Sequence, residues 1–250
     1  MQAYLTLVRR ELTGYFFSIT GYIVIGAVAL LLGLAFNNLI EAIQGVPIPM
    51  PITELFFRSY YVWIVLLLAV SIITMRTFAQ ERFSGTFETL MTAPVSDFQV
   101  VAAKFSSALL FYVVMCLSFV ACILVPRYFA SEGYSLDPGV IGATLLGVFL
   151  IGSLLLSLGC FASALTRSQM TSAIISFGLG WGLFLLSSLA EQAQNAATWQ
   201  AKVLAFFALS EHMHDFARGV VDTRPLVFYV GLTFTFLFLT LRVVQSRRWK

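Results

Sequence analysis

Charge is scarce in this sequence: 11% of its 250 residues are Asp, Glu, Lys or Arg, 59% are hydrophobic, and the mean hydropathy is +0.90. Soluble domains carry about a quarter charged residues, so a chain this apolar cannot cover its own surface with polar groups and belongs in a bilayer. Cysteine is scarce as well. Cys116, Cys122 and Cys160 lie inside apolar runs without metal-type spacing, which argues against a disulfide framework and leaves them as small hydrophobes. No Gly-Lys pair occurs anywhere, so the chain has no G-x-x-x-x-G-K-[ST] phosphate loop with which to hydrolyse a nucleotide itself. G-x-S-x-G and H-E-x-x-H are missing too, and with no acid or His at mid-span a membrane enzyme is disfavoured.

What is present is a set of long uncharged runs. They extend from Leu12 to Ile40, Ser59 to Met75, Phe105 to Pro126, Pro138 to Thr166, Ser168 to Ala190 and Pro225 to Leu241, each near or above the ~17 to 25 residues of a spanning helix. Hydrocarbon offers the backbone no water to pair with, so each run must be helical. The lack of dyad alternation excludes a closed barrel. The expected fold is an all-α integral membrane protein of six transmembrane helices, one membrane domain over residues 1–250. The first run is too long for the core of a cleavable signal peptide, so that helix is expected to stay in the mature protein.

Six spans place both termini on one side. With the termini inside, ten Lys and Arg (Arg9, Arg10, Arg76, Arg82, Lys104, Arg167, Arg242, Arg247, Arg248 and Lys250) face the cytosol against five outside, the asymmetry of the positive-inside rule. The stretch "TFAQERFSGTFETLMTAPVSDFQVVAAKF", residues 77 to 105, is then cytosolic. In it Phe83, Phe87, Leu90 and Met91 recur at helical spacing, with Glu81, Arg82 and Glu88 on other faces. This pattern predicts a short amphipathic helix over 80–93, ended by Pro94. Gly85 and Thr86 permit close backbone approach there at some cost in helix propensity; a simple bend would account for Gly85 equally well, and a solvated loop lying on the headgroups would account for the whole stretch.

Three other segments stand out. Residues 1–13 form an amphipathic segment with Met1, Tyr4, Leu5, Val8 and Leu12 on one face and Gln2, Thr6, Arg9 and Arg10 elsewhere, as for a helix lying in the interface before an elbow into the first span. In the fifth span Ser172, Ser176, Gly178 and Gly182 form a small-residue theme that suits helix packing or a dimer face. Outside, residues 191–224 hold a short interfacial or re-entrant segment around "ATWQAKVLAFFAL", expected to lid the vestibule. It is followed by "EHMHDFAR", capped by Ser210 and stopped by Gly219. His212, His214 and Asp215 do not suit a metal, because residues two apart on a helix do not face each other.

The run Thr74 to Phe105 resembles the cytosolic loop between the second and third helices of permeases in type-2 ATP-binding-cassette (ABC) exporters. Their E-R/K-x-x-G-T-x-E-x-L-x-x-x-P-V-S pattern and following Lys fall on Glu81, Arg82, Gly85, Thr86, Glu88, Leu90, Pro94, Val95, Ser96 and Lys104. "RRELTGYFFSITGYI" (Arg9 to Ile23) and the closing His212 to Lys250 look like the ends of the gliding-motility-type branch, with Ser18 to Thr20 departing from a common Ser-Pro pair. The resemblance implies that 80–93 is a coupling helix docking into a separate ATPase subunit through Glu81, Arg82, Phe83, Gly85, Thr86, Phe87, Glu88, Leu90 and Met91. It implies that the N-terminal segment is a connecting helix touching the same subunit through Tyr4, Val8, Arg9 and Arg10. It further implies a pair of ATPases holding the ATP and Mg, with no cofactor in this chain, and a second permease copy or a related permease. An auxiliary periplasmic-facing membrane protein and a bacterial inner-membrane location complete the set; no nucleic acid is involved. The runs hold no Asp, Glu, Lys or Arg to serve as a proton or ion relay, so an ion-coupled secondary carrier working without an ATPase is the weaker alternative, open only through uncharged coordination.

Overall fold

The computed structural model describes residues 2–43, 51–86, 95–129, 137–193 and 206–248. Among these every regular element is an α-helix: α1 (Gln2–Phe16), α2 (Ile19–Ala42), α3 (Ile52–Arg58), α4 (Tyr60–Thr74), α5 (Ala79–Phe83), α6 (Asp97–Phe129), α7 (Pro138–Leu165), α8 (Gln169–Ala193), α9 (Leu209–Ala217) and α10 (Thr223–Arg248). Five of them, α2, α6, α7, α8 and α10, are long and apolar enough to cross a membrane. A sixth span arises if α3 and α4, which meet at Ser59 with a bend of 70°, are taken together. The second expected span is thus shorter than its uncharged run. By itself α4 has 15 residues, about 22 Å at 1.5 Å per residue, less than a ~30 Å hydrocarbon core.

The bundle is organised around α7. Asp137 caps its start, its carboxylate accepting from the Gly139 amide at 2.9 Å, and Pro138 stands in the first turn, where a missing N–H costs nothing. From Gly147 to Ala164 nearly every residue of α7 is buried, which is possible in a helix hydrophobic all round. Close approach to its neighbours depends on glycine at three points, one of them Gly147, where a Cβ would strike Phe216. A Cβ on Gly152 would strike the Tyr112 ring of α6, and one on Gly159 would strike the Thr74 hydroxyl of α4. The hydroxyls of Ser153 and Ser157 donate to carbonyls three residues back, Leu150 and Leu154, each at 2.7 Å, so these buried polar groups need no outside partner.

At the other extreme α2 contributes a narrow buried stripe of Gly21, Val28, Leu32 and Phe36, flanked by partly buried Val24, Ile25, Ala35, Leu39 and Ile40. The expected N-terminal helix is present but longer than 1–13. It runs to Phe16 and turns at Phe17–Ser18 into α2. Its inward face is Val8 with Tyr4, Leu7, Glu11, Leu12, Tyr15 and Phe16, whereas Leu5 points away.

Candidate functional site

The charged stretch after the second span does not form one continuous helix from 80 to 93. It begins as α5 and stops at Phe83, followed by a turn at Ser84 and Gly85. The reason is conformational: Gly85 has φ +74°, a left-handed geometry that glycine enters freely and other residues resist. Phe87, Glu88, Leu90 and Met91 lie outside the described residues.

α5 is short, yet three neighbours hold it. Ser163 of α7 places its hydroxyl oxygen 3.1 Å from the Phe78 amide and 3.0 Å from the Ala79 amide, accepting from the first free N–H groups of the helix. From α6, the Lys104 ammonium reaches the Glu81 carboxylate at 2.9 Å and the Glu11 carboxylate of α1 at 3.0 Å. Arg10 adds a longer approach to Glu81 at 3.8 Å. The Lys104 side chain is 3% exposed, Glu81 10% and Glu11 19%, and the ammonium lies 5.4 Å from the Phe78 ring centre. One lysine therefore ties α1, α5 and α6 together where water is largely excluded.

Each predicted site residue can now be placed. Glu81, expected as a docking charge, is braced internally by Lys104, with Arg82 beside it half-buried. Phe83 is the anchor the geometry leaves on offer, 81% exposed at the end of the clamped helix. The Ser84 and Thr86 hydroxyls pair at 2.8 Å across the turn. On α1, Tyr4 donates to Ser106 of α6 at 2.7 Å, Val8 is buried, Arg9 is exposed and Arg10 approaches Glu81. Tyr15 reinforces the elbow, stacking on Phe111 at 5.1 Å and donating to the Ile73 carbonyl at 3.2 Å. The connecting segment and α5 thus form one assembly with the start of α6.

The four small residues of α8 do not share a face. Ser172 and Ser176 are buried, on the side where Gly180 meets Leu67 of α4. Gly178 and Gly182 look outward, and a Cβ on either would meet nothing within 4 Å. Six residues turn a helix through about 600°, leaving Ser172 and Gly178 about 120° apart; Gly178 and Gly182 instead join Ile174, Leu185 and Leu189 in an outward apolar stripe.

At the opposite end of the bundle α9 is pinned to α3. Arg218 donates to the buried Glu54 carboxylate at 2.6 Å, and Thr53 donates to the Ala217 carbonyl at 2.8 Å. Gly219, at φ +89°, ends α9 as predicted, its amide accepted by Phe216 at 3.0 Å and that of Val220 by Asp215 at 2.9 Å. Ser210 does not cap the helix, which begins at Leu209. Its amide and hydroxyl pair with Ser187 of α8 instead, at 3.0 and 2.9 Å. Residues 194–205 of the expected lid lie outside the described residues. Among the described residues no group of three or more His, Cys, Asp and Glu is placed to hold a metal.

His212 sits edge-on to the rings of Phe228 and Tyr229, each 5.8 Å away. Burial holds its imidazole below the ordinary 6.5, against the opposing pull of Asp215 and Asp222. A histidine with a lowered folded value binds fewer protons folded than unfolded at mildly acidic pH, so its contribution is unfavourable there and vanishes above ~6.5. The melting temperature is therefore expected to fall as pH drops from about 7 toward 5, and His212→Phe should flatten that slope; an unchanged slope in a thermal melt would refute the assignment.

These features define a polytopic helical membrane protein with a polar, internally braced corner at the end carrying both termini. A family profile described as "ABC-2 family transporter protein" matches residues 49–243, most of the chain. The chain belongs to the ABC-2 transporter family, as the membrane-spanning permease component of an ABC transporter. No curated protein matches it.

Proposed function

We propose that this permease takes its power from a separate ATPase subunit, which binds ATP and Mg and grips the segment opening at Phe83. The observation that carries the reading is the contrast between an almost fully exposed phenylalanine and the helix bearing it, which is held by a buried ion cluster and a hydroxyl cap. Aromatic side chains on rigid supports are the usual anchors of interfaces. Movement imposed at Phe83 would pass to α1 and α6 through Lys104 and to α7 through Ser163, so the ATPase stroke reaches the connecting helix and two spanning helices together. Glu88, Leu90 and Met91 extend the docking segment and Arg9 and Arg10 supply charge for its register. The outcome is export of a substrate or mechanical transmission across a bacterial inner membrane with both termini cytoplasmic, in a gliding-motility-type complex that includes an auxiliary periplasmic-facing protein. Co-expression with an ATPase subunit tests this. A stable complex with ATP turnover altered by the permease is expected, and a permease that transports as a single chain in liposomes would contradict it.

A second copy, or a related permease, meets this one along the outward stripe of α8. Gly178→Leu together with Gly182→Leu should leave the fold within about 0.5 kcal/mol of the parent, because open space surrounds both positions. Dimer dissociation in detergent should rise about tenfold or more through loss of close helix approach. Unchanged self-association would place the interface elsewhere.

A further inference from the structure

An open recess of about 330 Å³ lies where the end of α1, the end of α4 and α5 converge, with Arg10, Arg76, Glu11, Glu81 and Lys104 on its walls. Three cations face two carboxylates there. Lys104 satisfies one oxygen from each acid, and Arg76 donates to Thr20 at 2.7 Å, which uses one of the five N–H groups of a guanidinium. Among the described residues one positive charge is left over. The occupant that suits these walls is an anion.

The surroundings specify what that anion is attached to. The recess includes Ser18, the first residue after the elbow at Phe17. On either side of Ser18 the chain presents Phe17, 86% exposed, and Ile19, 79% exposed, followed by Tyr22 and Ile23, also outward. A polar recess at the end of the spans beside an apolar ridge running along α2 has the layout of a headgroup above acyl chains.

We propose that this recess binds an anionic glycerophospholipid of the phosphatidylglycerol type from the leaflet at the terminal end of the bundle. Its phosphate lies between Arg10 and Arg76, and its chains lie along Phe17, Ile19 and Tyr22. The bound lipid fixes the corner formed by α1, α4 and α5. The inference rests on the membrane placement of the bundle and does not depend on a docked ATPase.

Native mass spectrometry of the full-length chain, after exchange into equal amounts of phosphatidylglycerol and phosphatidylcholine with identical acyl chains, tests it. One phosphatidylglycerol per chain should be retained in about tenfold or greater excess over phosphatidylcholine, and Arg10→Gln and Arg76→Gln should each lower that retention about tenfold. Arg10 is 59% exposed, so its replacement leaves the fold intact and keeps the test open should the Arg76 variant unfold. Millimolar glycerol 1-phosphate should not displace the lipid. Equal retention of the two lipids, or retention indifferent to the Arg10 variant in folded chain, would overturn the proposal. So would displacement by glycerol phosphate, which would assign the recess to a free phosphate, or release of the lipid on adding an ATPase subunit, which would assign it to a protein side chain.

Discussion

Replacing Lys104 by Met is expected to destabilise the chain by about 3 to 5 kcal/mol, the usual cost of removing one partner from a buried ion pair. Methionine keeps the apolar stem against Phe78 and removes the charge. Glu11 and Glu81 would then face each other without the ammonium that pairs with both, leaving the longer Arg10 approach at 3.8 Å to compensate Glu81. The expectation has a built-in control. Adding Glu11→Gln and Glu81→Gln to Lys104→Met should recover most of the loss, since a neutral cluster of the same shape carries no uncompensated charge. Thermal unfolding in a fixed detergent, with variants compared at one pH and salt, decides the matter. A Lys104→Met chain within about 0.5 kcal/mol of the parent, the range of ordinary surface changes, would show that the cluster holds nothing together.

Phe83→Ala is expected to behave in the opposite way, leaving stability alone and removing function. The side chain is 81% exposed, so truncation forfeits little packing within the chain. A central aromatic anchor is worth about 2 kcal/mol or more of binding, so ATPase affinity should fall about thirtyfold. Parallel measurements of melting temperature and ATPase binding by the purified permease separate the two effects. Loss of binding accompanied by an equal loss of stability would mean that Phe83 supports the fold rather than an interface.

Much of this architecture is legible in the sequence for a simple physical reason. A bilayer demands long uncharged helices, so the runs beginning at Pro138 and ending at Leu241 announce their elements directly. Gly219 likewise marks the stop of α9, where its φ of +89° suits no other residue as well. The break after Phe83 was not legible, because the spacing of Phe83, Phe87, Leu90 and Met91 continues through Gly85 as though the helix did. Gly85 offered either a packing contact or a bend, and the left-handed turn is a backbone choice that spacing cannot report.

The internal role of Glu81 was hidden for a different reason. Its partner is 23 residues away on α6, and Glu11, which shares that partner, is 70 residues away on α1; local periodicity carries no information about such pairings. A weaker signal was present. Glu11 and Lys104 are charges lying on the apolar faces of their own helices, beside Val8 and Leu12 and between Val100 and Ala108, and charges in such positions are rarely left unpaired. The small residues of the fifth span carried their answer in plain arithmetic, since Ser176 and Gly178, two residues apart, stand about 160° apart on any α-helix.

A photo-crosslinking amino acid placed at position 83 in cells producing the whole complex tests the central claim most directly. The account predicts one dominant adduct, joining this chain to a nucleotide-hydrolysing ATPase subunit and lost when that subunit is absent. Labelling of position 83 by a membrane-impermeant reagent from the outer side, or crosslinking to lipid alone in a complex that contains the ATPase, would contradict it.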